Sequence, residues 1–176
     1  MKLFFDTEFT GLRQNTSLIS LGIVDDDDRM FYAVFNDYKK DQVDEWIQEN
    51  VINNLDIDYN TISRDVNIVH GDTKKITEAL ENWLDYYGEA DYIKIWSDCL
   101  AYDWVLFNEL FGGALKIPPN IYYISFDIAT LMEIKGVDPD INREQFTGME
   151  NNSNKHNALF DAIVIKKCYE KLMVMS

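Results

Sequence analysis

Cysteine, proline, histidine and positive charge are all scarce in this chain. Cys99 and Cys168 are the only cysteines in 176 residues and form no Cys-x-x-Cys pair. A disulfide framework is excluded, and the two read as buried free thiols of a reducing, cytoplasmic setting. No apolar run is long enough to cross a bilayer, so no membrane partner is expected. The opening Met1-Lys2-Leu3-Phe4-Phe5-Asp6 turns acidic too soon for a secretory signal. Sixteen Lys and Arg face thirty-one Asp and Glu, a net charge of -15 and a pI near 4.3. That balance excludes a tight, sequence-independent binder of polyanions, which works through Lys and Arg. Processing a short single-stranded end remains open to such a chain if bound cations reverse the local sign. What is present is a globule-forming composition, 47% hydrophobic and 14% aromatic. Residues 1–176 read as a single domain, able to bury about 70% of its unfolded surface.

Periodicity gives strands at 2–9, 18–24 and 30–35 with short links, an antiparallel meander. The link between the second and third, Asp25-Asp26-Asp27-Asp28, reads as a solvated turn. Residues 36–72 read as irregular apart from one helical piece at 43–51. Ile76, Leu80, Trp83, Leu84 and Tyr87 mark an amphipathic helix over 73–87, stopped by Gly88. Strands at 92–96 and 121–126 follow, with helices at 101–111, 127–135 and 157–173. The expected fold is α/β: a mixed five-stranded sheet, three antiparallel strands then two parallel, with helices on both faces. The Asn-rich stretch 148–155 reads as a mobile loop.

Asp6 and Glu8 lie at i and i+2 of the first strand. Both therefore point to one face, roughly 7 Å apart at Cα. Like charges so placed repel unless a cation lies between them, and Mg²⁺ or Mn²⁺ suits such oxygen donors. His156 and Asp161 open the last helix, and Asp103 lies early in the helix after the fourth strand. Carboxylates are common in first helical turns because they complement the dipole, so Asp103 and Asp161 each have an ordinary structural explanation when taken alone. Residues i and i+5 diverge by about 140° on a helix, so His156 must sit in the loop or the first turn to lean toward the acids. Asp98, near the end of the fourth strand, is the rival to Asp103. His70 has no matching partner and reads as a loop residue.

The series Asp6-x-Glu8-Phe9-Thr10-Gly11-Leu12, Tyr102-Asp103-Trp104 and His156-x-Ala158-x-x-Asp161 resembles the DEDDh subgroup of the DnaQ-like 3′→5′ exonucleases. Phe4-Phe5-Asp6-Thr7-Glu8-Phe9, Glu45-Trp46-Ile47-Gln48-Glu49-Asn50-Val51 and the compact length look most like its small bacterial exoribonuclease branch. Asn157, where the tyrosine-type subgroup would carry Tyr, and His156 before it select the histidine subgroup.

The resemblance implies a ribonuclease H-like fold and two-metal phosphodiester hydrolysis. It assigns Asp6, Glu8, Asp103 and Asp161 to two divalent cations, Mg²⁺ or Mn²⁺. His156 becomes the general base, with neighbouring carboxylates expected to favour its protonated form. Phe9, Thr10, Gly11 and Leu12 would contact the 3′-terminal nucleotide. Arg13, Arg143 and Lys155 are candidates for phosphate, and Trp46 for a substrate platform or, more plainly, a core anchor. The implied substrate is a single-stranded 3′ end, RNA rather than DNA, cut to nucleoside 5′-monophosphates. Relatives of this kind are often homodimers. The alternatives are a catalytically inactive acidic binding or regulatory module on the same fold, and an endonuclease of the wider ribonuclease H-like class.

Overall fold

The computed structural model describes residues 1–57, 66–88, 92–150 and 155–175. Six strands form one sheet: β1 (Lys2–Phe9), β2 (Leu18–Asp25), β3 (Met30–Phe35), β4 (Val66–Gly71), β5 (Lys94–Ser97) and β6 (Phe126–Asp127). Their order is β4-β3-β2-β1-β5-β6. The meander β1-β2-β3 is antiparallel, while β4 joins β3, β5 joins β1 and β6 joins β5 in parallel. The sheet thus has one strand more than the sequence pattern gives. Val66–Gly71 is an edge strand of mostly half-buried and exposed residues, so no apolar alternation announces it, and His70 lies on that edge rather than in a loop. At the other edge the expected strand 121–126 is reduced to one bridge, Ile93 with Ile121, and the two-residue β6.

Helices cover both faces. Leu3 and Phe5 of β1 pack with α2 (Thr73–Leu84) and α3 (Leu100–Leu110). Phe4 of the same strand points the other way, to α4 (Ile128–Ile134), α5 (Arg143–Thr147) and α6 (Ala158–Val174). Burial on both sides explains why all eight residues of β2 are buried. The remaining helix, α1 (Glu45–Asn50), lies in the long connection between β3 and β4, and its Asp44 cap accepts from the Ile47 N–H at 2.8 Å.

The Asp-rich turn is solvated at Asp26, Asp27 and Asp28, as expected, but its first residue is built into the fold. Asp25 is 1% exposed, and its carboxylate accepts from the Asp27 and Arg29 N–H groups and the Tyr87 hydroxyl, each at 2.8 Å. From α6, the buried Lys166 ammonium donates to the Asp25 and Asp26 carbonyls and to the Asp28 carboxylate at 2.7–2.9 Å. Cys168 is a buried free thiol as expected, but Cys99 is exposed.

Gly22 sets how closely α6 approaches the sheet. It pairs with Asp6 across the β1-β2 ladder. A Cβ there would stand 2.3 Å from the Ala158 carbonyl group and from the Leu159 Cα, backbone atoms that yield only if the start of α6 moves. Gly22→Ala should therefore destabilise the chain by about 1–3 kcal/mol. A urea midpoint equal to that of the parent chain would show that the contact is slack.

Candidate active site

The carboxyl ends of β1 and β5 and the start of α6 open into a cleft of about 860 Å³. Such strand ends are where open α/β sheets bind ligands. Asp6 and Glu8, on the α6 side of β1, line this cleft together with His156 and Asp161. Ligating atoms of Glu8, His156 and Asp161 all lie within 4.8 Å of one another. Asp161 occupies the first turn of α6, where its N–H donates to the Asn157 carbonyl at 2.9 Å. His156 stands just before the helix with φ +62°, a left-handed backbone that costs a non-glycine residue on the order of 1–3 kcal/mol. That conformation is how a residue five positions from Asp161 joins it at one spot.

Asp103 approaches from the opposite face of β1. It is fully buried on α3, and its carboxylate accepts from the Thr7 hydroxyl at 2.6 Å and from the Ser97 hydroxyl. Asp98 is held instead by Arg143, which donates to both its oxygens at 2.9 Å. Both acids raise the pKa of Asp6, Asp103 more than Asp98.

The four acids strain one another electrostatically. Burial pushes Asp6 well above the usual carboxylate range, with Asp103, Asp161 and Glu8 adding repulsion. Burial, then Asp161 and Asp103, lift Glu8 to about 9. Burial raises Asp161 to about 7, with Glu144 adding to it and a backbone hydrogen bond from His156 opposing. Asp103 rises only to about 6, because the Ser97 and Thr7 hydroxyls favour its charged form against burial. Hard oxygen donors that cannot all ionise together fit divalent cations, which would offset the repulsion.

His156 departs from expectation. Burial and the Lys155 charge hold its pKa below the ordinary value, with Glu144 opposing. The one carboxylate that favours the imidazolium, Glu144, is outweighed by burial and by Lys155.

The segment after the first acids divides by role. The ladder register shifts between Glu8 and Phe9, and Phe9 stacks on Tyr102 with ring centres 5.2 Å apart, at the cleft. Gly11, at φ +133°, and Leu12, 74% exposed, also line it. Thr10 does not face the cleft. It is fully buried, accepting from the Ser17 N–H at 3.0 Å and donating to the Gln42 side chain at 2.5 Å. Its hydroxyl ties the loop to Ser17 and Gln42.

Trp46 is no core anchor. It is 54% exposed on α1, lines the cleft and meets the His156 ring edge-on at 5.1 Å. The helical pattern could have flagged it, since Ile47 rather than Trp46 takes the buried position. Of the three candidate phosphate contacts, Arg143 is paired with Asp98 and Lys155 lies 3.9 Å from Glu144. Arg13 makes no ion pair among the described residues and lines the cleft.

The raised acids give a stability prediction. A carboxylate with a higher pKa folded than unfolded favours the fold while protonated, and that contribution is lost as pH rises through the folded value. Without metal, stability should fall between about pH 4 and pH 9, the window set by Glu8 and Asp161. The lowered His156 acts with the opposite sign, and only below its ordinary value of 6.5. Urea midpoints in EDTA should be lower at pH 8.5 than at pH 6.5, and Mn²⁺ should erase the difference. A flat profile in EDTA would mean that the acids do not share a field.

Comparison with known proteins bears on the fold and the reaction class. Two curated relatives, the 3′-5′ exoribonucleases Rv2179c and MT2234.1 of two Mycobacterium tuberculosis strains, are each 29% identical over 136 residues, covering 77% of this chain and 76% of theirs. The solved structure of cell-death related nuclease 4 (CRN-4) superposes with a TM-score of 0.61 at 14% identity. That match covers 99% of this chain and 64% of the nuclease, and the shared fold is ribonuclease H-like. Residues 1–173 match the family described as the 3'-5' exoribonuclease Rv2179c-like domain, and the chain belongs to that family.

Proposed function

We propose that this chain is a single-domain, metal-dependent 3′→5′ exoribonuclease that removes nucleoside 5′-monophosphates from single-stranded RNA ends. Membership of an exoribonuclease family supports the reaction class. The observation that carries the site is the meeting of Glu8, His156 and Asp161 within 4.8 Å, in the cleft that Asp6 also lines. Asp6, Glu8 and Asp161 would hold one divalent cation, and Asp6 a second, which Asp103 would reach directly or through water. When bound, Mg²⁺ or Mn²⁺ supplies Lewis acidity at the phosphate and an acidified water.

The chain's own groups do the rest. His156 takes the proton of the attacking water on an imidazole nitrogen, and its depressed pKa keeps that nitrogen free near neutrality. Lys155, which depresses it, belongs to the same turn. Arg13 meets a phosphate oxygen. Phe9, Gly11 and Leu12 border the terminal nucleotide, and Trp46 offers a ring face to a base. Free thiols and the absence, among the described residues, of any helix long and apolar enough to cross a membrane are compatible with a cytoplasmic setting. A homodimer belongs to the same reading by family likeness alone.

A 5′-labelled RNA oligonucleotide should shorten from its 3′ end with Mn²⁺ and stay intact with EDTA. A 3′-blocked oligonucleotide and a circular single strand should resist. Asp6→Ala should be nearly inactive, and His156→Ala should lose about 10²–10⁴-fold in kcat. Full activity in both variants would refute the assignment. Trp46→Ala should weaken RNA binding by about 1–3 kcal/mol in a competition assay, the value of one stacked base.

A further inference from the structure

Asn157 sits between two residues of the site and is 2% exposed. Its side-chain oxygen accepts from the N–H groups of Leu159 and Phe160, capping α6. Its main-chain carbonyl accepts from the Asp161 N–H. The amide nitrogen does something a cap does not need. It donates to the Asn54 carbonyl at 2.9 Å and to the Tyr32 hydroxyl at 3.2 Å. Tyr32 in turn donates to the Leu55 carbonyl at 2.9 Å. One buried side chain therefore ties the start of α6 to β3 and to residues 54–55, just beyond α1. That helix carries Trp46, whose ring meets His156.

We infer that Asn157 is a positioning residue, which with Tyr32 fixes the left-handed backbone of His156 and sets the spacing between the α1 and α6 walls of the cleft. A helix cap alone could be Ser, Thr or Asp. A Ser or Thr hydroxyl has a single hydrogen on the atom that caps, whereas the amide carries its acceptor and its two donor hydrogens on separate atoms, so it accepts from the helix while donating to both the Asn54 carbonyl and the Tyr32 hydroxyl. Asp would keep the cap but turn acceptors toward the Asn54 carbonyl, and would add charge beside acids that already repel. The immediate neighbour of Asn157 is His156, so any slack in this joint is passed first to the imidazole.

The inference rests on reading His156 as the general base. Its test is a double-mutant cycle on the full chain with a 5′-labelled RNA oligonucleotide and saturating Mn²⁺. Asn157→Ser keeps a capping oxygen and removes both amide donations. Tyr32→Phe removes only the hydroxyl. Each should lower kcat at least tenfold with KM changed less than threefold. In the His156→Ala background each should have almost no further effect, because the group it positions is gone. A merely structural role would multiply with His156→Ala instead. Mn²⁺ titration by calorimetry should show the variants binding within about threefold of the parent, since Glu8 and Asp6 stay on β1. Parent-like kcat in both variants overturns the inference, as do effects that multiply in the His156→Ala background. If Asn157→Ser does not fold, Tyr32→Phe alone decides by the same criteria. An inactive parent chain would instead refute the exoribonuclease reading, so the two failures are distinguishable.

Discussion

Carboxylates that repel one another at a half-buried strand end set the terms for the rest of this fold. Asp6, Glu8 and Asp161 are all displaced toward their neutral forms, and Asp103 stays closest to ionised only because two hydroxyls face it. Left to relax, such groups would swing apart. The scaffold denies them room. Gly22 lets the start of α6 press against β2 beside Asp6, and Arg143 holds Asp98, whose charge still adds the smallest share of the repulsion felt by Asp6. The site is thus held in an arrangement whose missing partner is positive charge.

The same constraint reconciles an acidic chain with a polyanionic substrate. Across the whole molecule the sign is wrong for holding RNA at a distance. Two of the three cations near the cleft already answer acids of the cleft wall, Arg143 to Asp98 and Lys155 to Glu144. On the proposed reading, attraction is local and arises where cations fill the acid cluster, so that ends entering the cleft are engaged rather than the flanks of long duplexes. Part of the acidic excess is also spent internally, since Asp25 and Asp28 serve the turn that grips Lys166.

The sequence made the chemistry more legible than its walls. Asp6 and Glu8 sit on a strand with period 2, and their shared face follows from that alone. The angular argument allowed His156 the loop or the first turn, and the structure has it just before α6 at φ +62°. The helix at 73–84 was visible because its apolar positions repeat cleanly. β4 escaped notice because an edge strand with Asn67 and His70 exposed has no alternation to read, and its pairing with β3 spans a long connection. Tyr122, Tyr123 and Ile124 look like strand, yet Tyr123 and Ile124 are exposed and outside the ladder. β-propensity needed a neighbour to express it, and the register with β5 resumes only at Phe126. The direction of the His156 shift was likewise unreadable, since it depends on burial and on Lys155, neither of which spacing reveals.

The placement of α1 has a consequence for how such enzymes diversify. Parallel pairing of β3 with β4 obliges the chain to make a long excursion, and its helix α1 lines the cleft with Trp46 and Ile47. No ladder bond of the β1-β2-β3 meander depends on the length of that excursion. Apart from residues 54–55, which anchor Asn157 and Tyr32, it can be extended, shortened or exchanged in evolution while the acids on β1 keep their places. Substrate choice can drift on one stretch of chain while the reaction is inherited unchanged on another.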